Sequence, residues 1–301
     1  MGLHSVWGPP IAWYLFLAGT GAGAYLVAVV AGLLGERYRT LVKPGVLLGA
    51  PLVAIGCLLL LVDLGVPARF MLTFLQPQTS MMSVGVIIIS LFIVLSGVHW
   101  VLTLVKKGSP KFLLVLSIVA GVFALGTAAY TGCLLALVQA IPFWHQPMLP
   151  VLFVLSALST GIGAVFVALG IARLVRPAAF SDPAAEKAVH GLGAVDLPII
   201  VAELLILFSM MFIMGSTDTV ASTSVAFIVS GAYAVPFWLG IVIVGLLVPG
   251  ILEVLALTTW REKGVACAMN SGIATGLCLL IGGLILRFAI VSAGLNVAVL
   301  M

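Results

Sequence analysis

Residues Ile11–Lys43 read IAWYLFLAGTGAGAYLVAVVAGLLGERYRTLVK: 25 residues without a charge, then Glu36 and the three cations Arg37, Arg39 and Lys43. A helix needs about 20 apolar residues to cross a hydrocarbon core roughly 30 Å thick, so the first part is long enough to span a membrane. The cations mark the side on which it ends. Seven further apolar segments follow, at about Pro44–Leu64, Ser83–Leu104, Phe112–Leu137, Pro150–Arg173, Ala194–Gly215, Val225–Thr258 and Ala266–Val291. Eleven of the 13 Lys and Arg residues fall in every second gap: Arg37, Arg39, Lys43, Lys106, Lys107, Lys111, Arg173, Arg176, Lys187, Arg261 and Lys263. Only Arg69 and Arg287 remain for the other side. The positive-inside rule then places these gaps in the cytoplasm and both termini outside it. The expected fold is an all-α integral membrane protein with eight transmembrane helices.

Composition excludes most other classes. With 63% hydrophobic and 7% charged residues in 301, no stretch is long and polar enough for a soluble domain. The net charge of +4 is accounted for by topology, and no basic tail or aromatic-basic stripe points to nucleic acid. The first segment exceeds the roughly 7–15 apolar residues of a signal-peptide core and has no basic residue before it, so it is expected to stay in the mature protein. Cys57, Cys133, Cys267 and Cys278 form no CxxC pair, and His4, His99, His145 and His190 are scattered. Only His99 is expected inside a helix, which leaves no paired histidines for a haem and no clustered ligands for a metal.

An internal repeat appears at an offset of 140 residues. Pro10–Ala28 (PIAWYLFLAGTGAGAYLVA) aligns without gaps on Pro150–Ala168 (PVLFVLSALSTGIGAVFVA), with Thr20, Gly21, Gly23 and Ala24 recurring as Thr160, Gly161, Gly163 and Ala164. Both copies enter from the same side, which predicts a parallel repeat of two four-helix bundles, residues 1–139 and 140–301. The alternative is chance matching within a narrow composition. The TGxGA clusters lie in mid-helix and not after a strand, so close helix packing is their expected role, and phosphate binding is not. Two gaps on the extracytoplasmic side exceed simple turns. Asp63–Ser83 holds Pro67, Pro77 and an amphipathic stretch expected to lie along the interface, and Gln139–Pro150 (QAIPFWHQPMLP) is rich in Pro and aromatics. Both are surfaces suited to seat a partner or roof a pocket.

Ionisable groups inside a membrane are costly and are functional candidates by default. Asp63 closes the second segment, with Arg69 six residues on. They form either a clamp that fixes the loop or a site at which the acid exchanges a proton with a ligand. Tyr130, in AAYTG, lies about two turns inside the fourth segment, where a phenol can hydrogen-bond a carbonyl oxygen while its ring lines an apolar pocket. Tyr14, one turn inside the first, can reach the same layer. Anchoring at the interface is the alternative for each. Glu203 falls near the middle of the sixth segment, with Asp196 and Glu253 toward the cytoplasmic side and Arg287 toward the other. Either a polar file runs through the second half of the chain, or Glu203 is a structural acid paired with Arg287.

Taken in order, PxxWYLFLAGTGAG, DLGVPARF, PQTSMMSVG, AAYTG, PFWHQPMLPVLFVLSALSTG, Glu203 after VDLPIIVA, and LRFAIVSAG resemble the NrfD/PsrC family of quinone-linked membrane subunits, over about Trp7 to Asn296. The resemblance implies menaquinone or menaquinol bound near the extracytoplasmic face, with no haem or metal in this chain. It implies a four-cluster ferredoxin-like iron–sulfur subunit on that side, and beyond it a catalytic subunit containing molybdopterin or haem. The family's quinone-contacting tyrosine falls on Tyr130. A first-helix contact that is a His in polysulfide reductase falls on Tyr14, where a hydroxyl can still donate. A family acid falls within about one turn of Asp63, next to Arg69, and a proton path would involve Glu203 and Arg287 by position, with Asp196 and Glu253 along it. The function expected is quinol oxidation in the cytoplasmic membrane of a prokaryote, with Asp63 taking or relaying a proton. Turnover is expected to be electroneutral, with Glu203 serving structure. A secondary transporter built on the parallel repeat is the alternative from another class.

Overall fold

A computed structural model describes residues 8–63, 81–175, 183–217, 219–258 and 265–298, and all regular structure among them is helical. Among the described residues eight helices are long and apolar enough to span a membrane, which makes this a multi-pass membrane protein. They are α1 (Pro9–Leu34), α2 (Arg39–Asp63), α3 (Met81–Leu104), α4 (Pro110–Ala136), α5 (Met148–Val175), α6 (Pro183–Thr217), α8 (Pro236–Thr258) and α9 (Val265–Ala298), with a short α7 (Thr219–Val229) before the seventh span.

Local chemistry sets the ends. Helix α1 starts on Pro9 and Pro10, whose missing N–H groups cost nothing in a first turn, and stops at Gly35, whose φ of 87° lies in the left-handed region. Ser109 caps α4 by accepting a hydrogen bond from the Phe112 amide at 3.2 Å, with Pro110 behind it. The α3–α4 connection turns through Lys106 and Gly108, both at positive φ.

Two expectations are corrected. The seventh apolar segment is not one helix from Val225, because the chain turns at residues 230–233 and helix restarts at Pro236. Gly231 weakens any helix running through it, and Pro236 is shaped to begin one. The first 12 residues of α8, Pro236–Leu247, wind as π-helix. Helix α6 begins at Pro183, well before its apolar part, so His190 as well as His99 lies inside a helix. Hydropathy sees only the portion that meets lipid, whereas the amphipathic start at PAAEKAVH is helical by propensity.

The repeated segments form the centre. In both α1 and α5, 67% of the most apolar window is buried, against 28–33% in α2, α3, α4, α6 and α8. A Cβ on Gly23 would come 1.8 Å from the Ala157 carbonyl oxygen, and one on Gly161 would come 2.3 Å from the Gly23 carbonyl carbon. The two TGxGA clusters are therefore where the helix backbones touch, as expected of small residues in lipid, where dispersion at close range replaces the hydrophobic drive. Around this crossing α1 packs on α2 and α4, and α3 on α2 and α4. In the second half α5 packs on α6 and α9, and α8 on α6 and α9.

The loop before α5 is fixed, not free. Trp144 is fully buried, donates from Nε1 to the Ile290 carbonyl at 2.8 Å, and lies on Gly294, whose Cβ would come 2.2 Å from the ring. Tyr233 and Ser292 share a hydrogen bond of 2.8 Å, and Ser224 donates to the Ala293 carbonyl at 3.1 Å, so α7 and the turn after it close over the same end of α9.

Candidate functional site

Position along the helices brings one set of residues to one depth. Tyr14 lies five residues after the start of α1, Gly85 four after the start of α3, Cys57 six before the end of α2, and Tyr130 six before the end of α4. Because these four helix ends share one side, a rise of 1.5 Å per residue puts all four residues roughly 6–9 Å inside it. Tyr14 is 2% exposed and Tyr130 8%. Tyr14 is an electrostatic neighbour of both Tyr130 and Cys57, and Tyr130 of Cys57 and Cys133. The structure places Tyr14 and Tyr130 at one depth. By sequence Cys57 reads as packing, and spacing along the chain does not reveal that it neighbours both phenols.

Asp63 is the last residue of α2, about 9 Å further toward the same side than Cys57. Its side chain, Arg69, and the interfacial stretch after it lie outside the described residues. The layer offers two hydroxyl groups, each able to donate or accept, set in an apolar surround. Two phenols at one depth can hydrogen-bond the oxygen atoms of an otherwise apolar molecule.

The second group lies in the other half. Asp196 and Glu203 on α6, Glu253 on α8 and Arg287 on α9 are 0%, 4%, 3% and 1% exposed. Ser159 donates to Asp196 Oδ2 at 3.4 Å, and Glu253 lies against Asp196, with both its carboxyl oxygens lacking a hydrogen-bond partner of ordinary length. Ser156, one turn before Thr160, lies beside Glu203. Arg287 donates from Nη2 to the Phe153 carbonyl at 3.3 Å and holds its guanidinium carbon 4.0 Å from the centre of the Phe153 ring. Glu203 and Arg287 act on each other through space but form no ion pair at contact distance. One cavity is lined by Glu253, His190, Gly193 and Thr275, and another by Glu203, Ser156, Ser159 and Thr160. The structure thus makes neighbours of Asp196 and Glu253, of Asp196 and Glu203, and of Glu203 and Arg287, and adds the α5 hydroxyls, which residue type alone does not single out.

An all-helical multi-pass membrane protein with a two-tyrosine layer and a separate file of buried acids is the class that fold and site define. Residues 1–299 match the family described as Polysulphide reductase, NrfD. Protein NrfD of Escherichia coli is 31% identical over 96% of this chain and 95% of its own length. The C subunit of polysulfide reductase from Wolinella succinogenes is 32% identical over 96% and 94%, and the NrfD homolog of Haemophilus influenzae 30% over 96% and 94%. The protein belongs to the NrfD family, a family consistent with the membrane subunit of an oxidoreductase.

Proposed function

We propose that this chain is the quinol-binding membrane subunit of a respiratory oxidoreductase in the cytoplasmic membrane of a prokaryote. The observation that carries the reading is the pair of buried phenols, Tyr14 and Tyr130, presented at one depth by α1 and α4 in a chain of the NrfD family. Oxidation of a bound menaquinol supplies two electrons and two protons, the electrons to the clusters of an iron–sulfur partner and onward to its catalytic subunit. The chain itself binds and orients. Tyr130 and Tyr14 hydrogen-bond the two oxygens, the apolar walls take the ring, and Asp63, by its place at the end of α2, receives or relays a proton, with Arg69 six residues on in sequence.

The cation pattern supports an orientation with both termini outside the cytoplasm and the tyrosine layer on the outer side. The contact pattern and the repeat support division into two bundles, 1–139 and 140–301, with the quinol site in the first. Isolation from mild detergent tests the reading against a transporter. The expected result is a complex containing an iron–sulfur chain, whereas a lone oligomer of this chain with neither iron nor quinone would contradict it.

One observation favours a second reading for the other half. Ser159 donates to Asp196, Ser156 lies beside Glu203, and one cavity borders Glu253 while another borders Glu203, features that a proton path would use. Against conduction stands Arg287, a fixed cation at the far end of the file, which is an electrostatic barrier to an excess proton. Turnover is therefore expected to stay electroneutral, with the protons and electrons leaving on one side. In vesicles holding the complex, menaquinol oxidation should create no membrane potential. A potential that Glu203→Gln abolishes while turnover persists would establish the proton path instead.

A further inference from the structure

We propose that Gly85 is the seat of the Tyr130 phenol and a positioning residue for the quinol site, an inference that rests on the reading of Tyr130 given above. Gly85 lies on α3 and Tyr130 on α4, and the ring lies directly over the glycine backbone. A Cβ built on Gly85 would come 1.8 Å from Cζ of Tyr130 and 2.0 and 2.3 Å from its two Cε atoms. All three are hydroxyl-end ring atoms, so the contact governs where the phenol oxygen points.

The chemistry of the position is subtractive. Any side chain at residue 85 must displace a ring that is itself only 8% exposed, and a tyrosine ring can move aside only by rotating about its two side-chain torsions. Rotation carries the hydroxyl away from the layer that holds Tyr14 and Cys57. A misplacement of about 1 Å is enough to cost of order a hundredfold when a reaction depends on the positioning of a bound substrate. Gly85 also sits among residues that open to the bilayer: Val84 and Ile87 are exposed, as are Met81 and Met82 one turn earlier. Gly97 on the same helix is a matched control, because a Cβ there would meet nothing within 4 Å.

The test uses the whole complex in detergent and a soluble menaquinol analogue, with kcat/KM expressed per assembled complex. Gly85→Ala should lower kcat/KM about tenfold while Gly97→Ala stays within twofold of the parent, and both should assemble to parental amounts. In a Tyr130→Leu background, where the ring is gone, adding Gly85→Ala should change the rate less than twofold. A role confined to helix packing would reduce assembly and leave kcat/KM per complex unchanged in Gly85→Ala, and that result overturns the proposal. Equal losses from Gly85→Ala with and without the Tyr130 ring overturn it as well. If Gly85→Ala does not assemble, Gly85→Ala/Tyr130→Leu decides, since restored assembly identifies the ring as the obstacle and continued failure excludes it. Tyr130→Phe separates this inference from the reading beneath it. A loss there with a fully active Gly85→Ala sinks the seat alone, and parental activity of Tyr130→Phe sinks both.

Discussion

Gly161→Val is expected to prevent stable assembly of the protein. The Cβ of any residue at 161 would fall 2.3 Å from the carbonyl carbon of Gly23 and 2.4 Å from the amide nitrogen of Ala24, both backbone atoms of α1. No rotamer change relieves such a contact, so α1 and α5 must separate along the crossing that makes them the two most buried helices. Overpacking costs about 1–3 kcal/mol where side chains can adjust, and backbone against backbone belongs at or above the top of that range. The loss also reaches beyond the crossing, because both helices carry the packing of their own halves. Thermal unfolding of the detergent-solubilised protein should show a midpoint lowered by about 5 °C or more, at roughly 2 °C per kcal/mol, or no folded protein at all. Gly97→Val should leave the midpoint within about 1 °C of the parent, because a Cβ at Gly97 meets no neighbour. Tolerance of valine at 161 would mean that the two TGxGA segments do not pack on each other.

Tyr130→Phe should lower quinol-dependent turnover by about tenfold or more with assembly intact. The ring is kept, so its seat on Gly85 and its buried contacts survive and only the hydroxyl is lost. One hydrogen bond to a positioned ligand is worth about 0.5–1.5 kcal/mol, and a substrate left free to shift loses more through misalignment. Tyr14→Phe should cost less than Tyr130→Phe if the two oxygens are held unequally, which steady-state kinetics with a menaquinol analogue would measure. Parental turnover by Tyr130→Phe would reduce the phenol to packing.

Much of the fold was legible because membrane spanning is a property of composition and length. A run such as Ile11–Leu34 can satisfy its backbone in lipid only as a helix, whatever its neighbours do. The TGxGA motifs were legible as packing for a related reason, since small residues in mid-helix have few other uses there. The break at residues 230–233 was marked by Gly231 and Pro236, yet continuous hydropathy across it outweighed them. The π-winding of Pro236–Leu247 had no sequence mark, and neither did the close approach of Gly245 within it to Gly282 of α9.

The site was legible in part. Chemistry-bearing residues are rare in a chain that is 7% charged, so Tyr130, Glu203 and Arg287 stood out by type and depth. What each one touches depends on which helix faces meet, and one sequence does not hold that information. Cys57 near the phenols, Gly85 beneath one of them, and Ser159 on Asp196 each join residues far apart in the chain. The ion pair expected as one option between Glu203 and Arg287 is absent for the same reason: Arg287 spends its reach on the Phe153 carbonyl and ring instead.

If a quinol held at Tyr130 passes its electrons to an iron–sulfur partner, the transfer is visible when the isolated complex is mixed rapidly with a reduced menaquinol analogue. The spectroscopic signal of the clusters is then followed in time. Cluster reduction is expected within a single turnover of the parent complex, at a rate about tenfold or more lower in Tyr130→Phe. Clusters that stay oxidised in the parent, or that are reduced at the same rate in both, would contradict a quinol site at Tyr130.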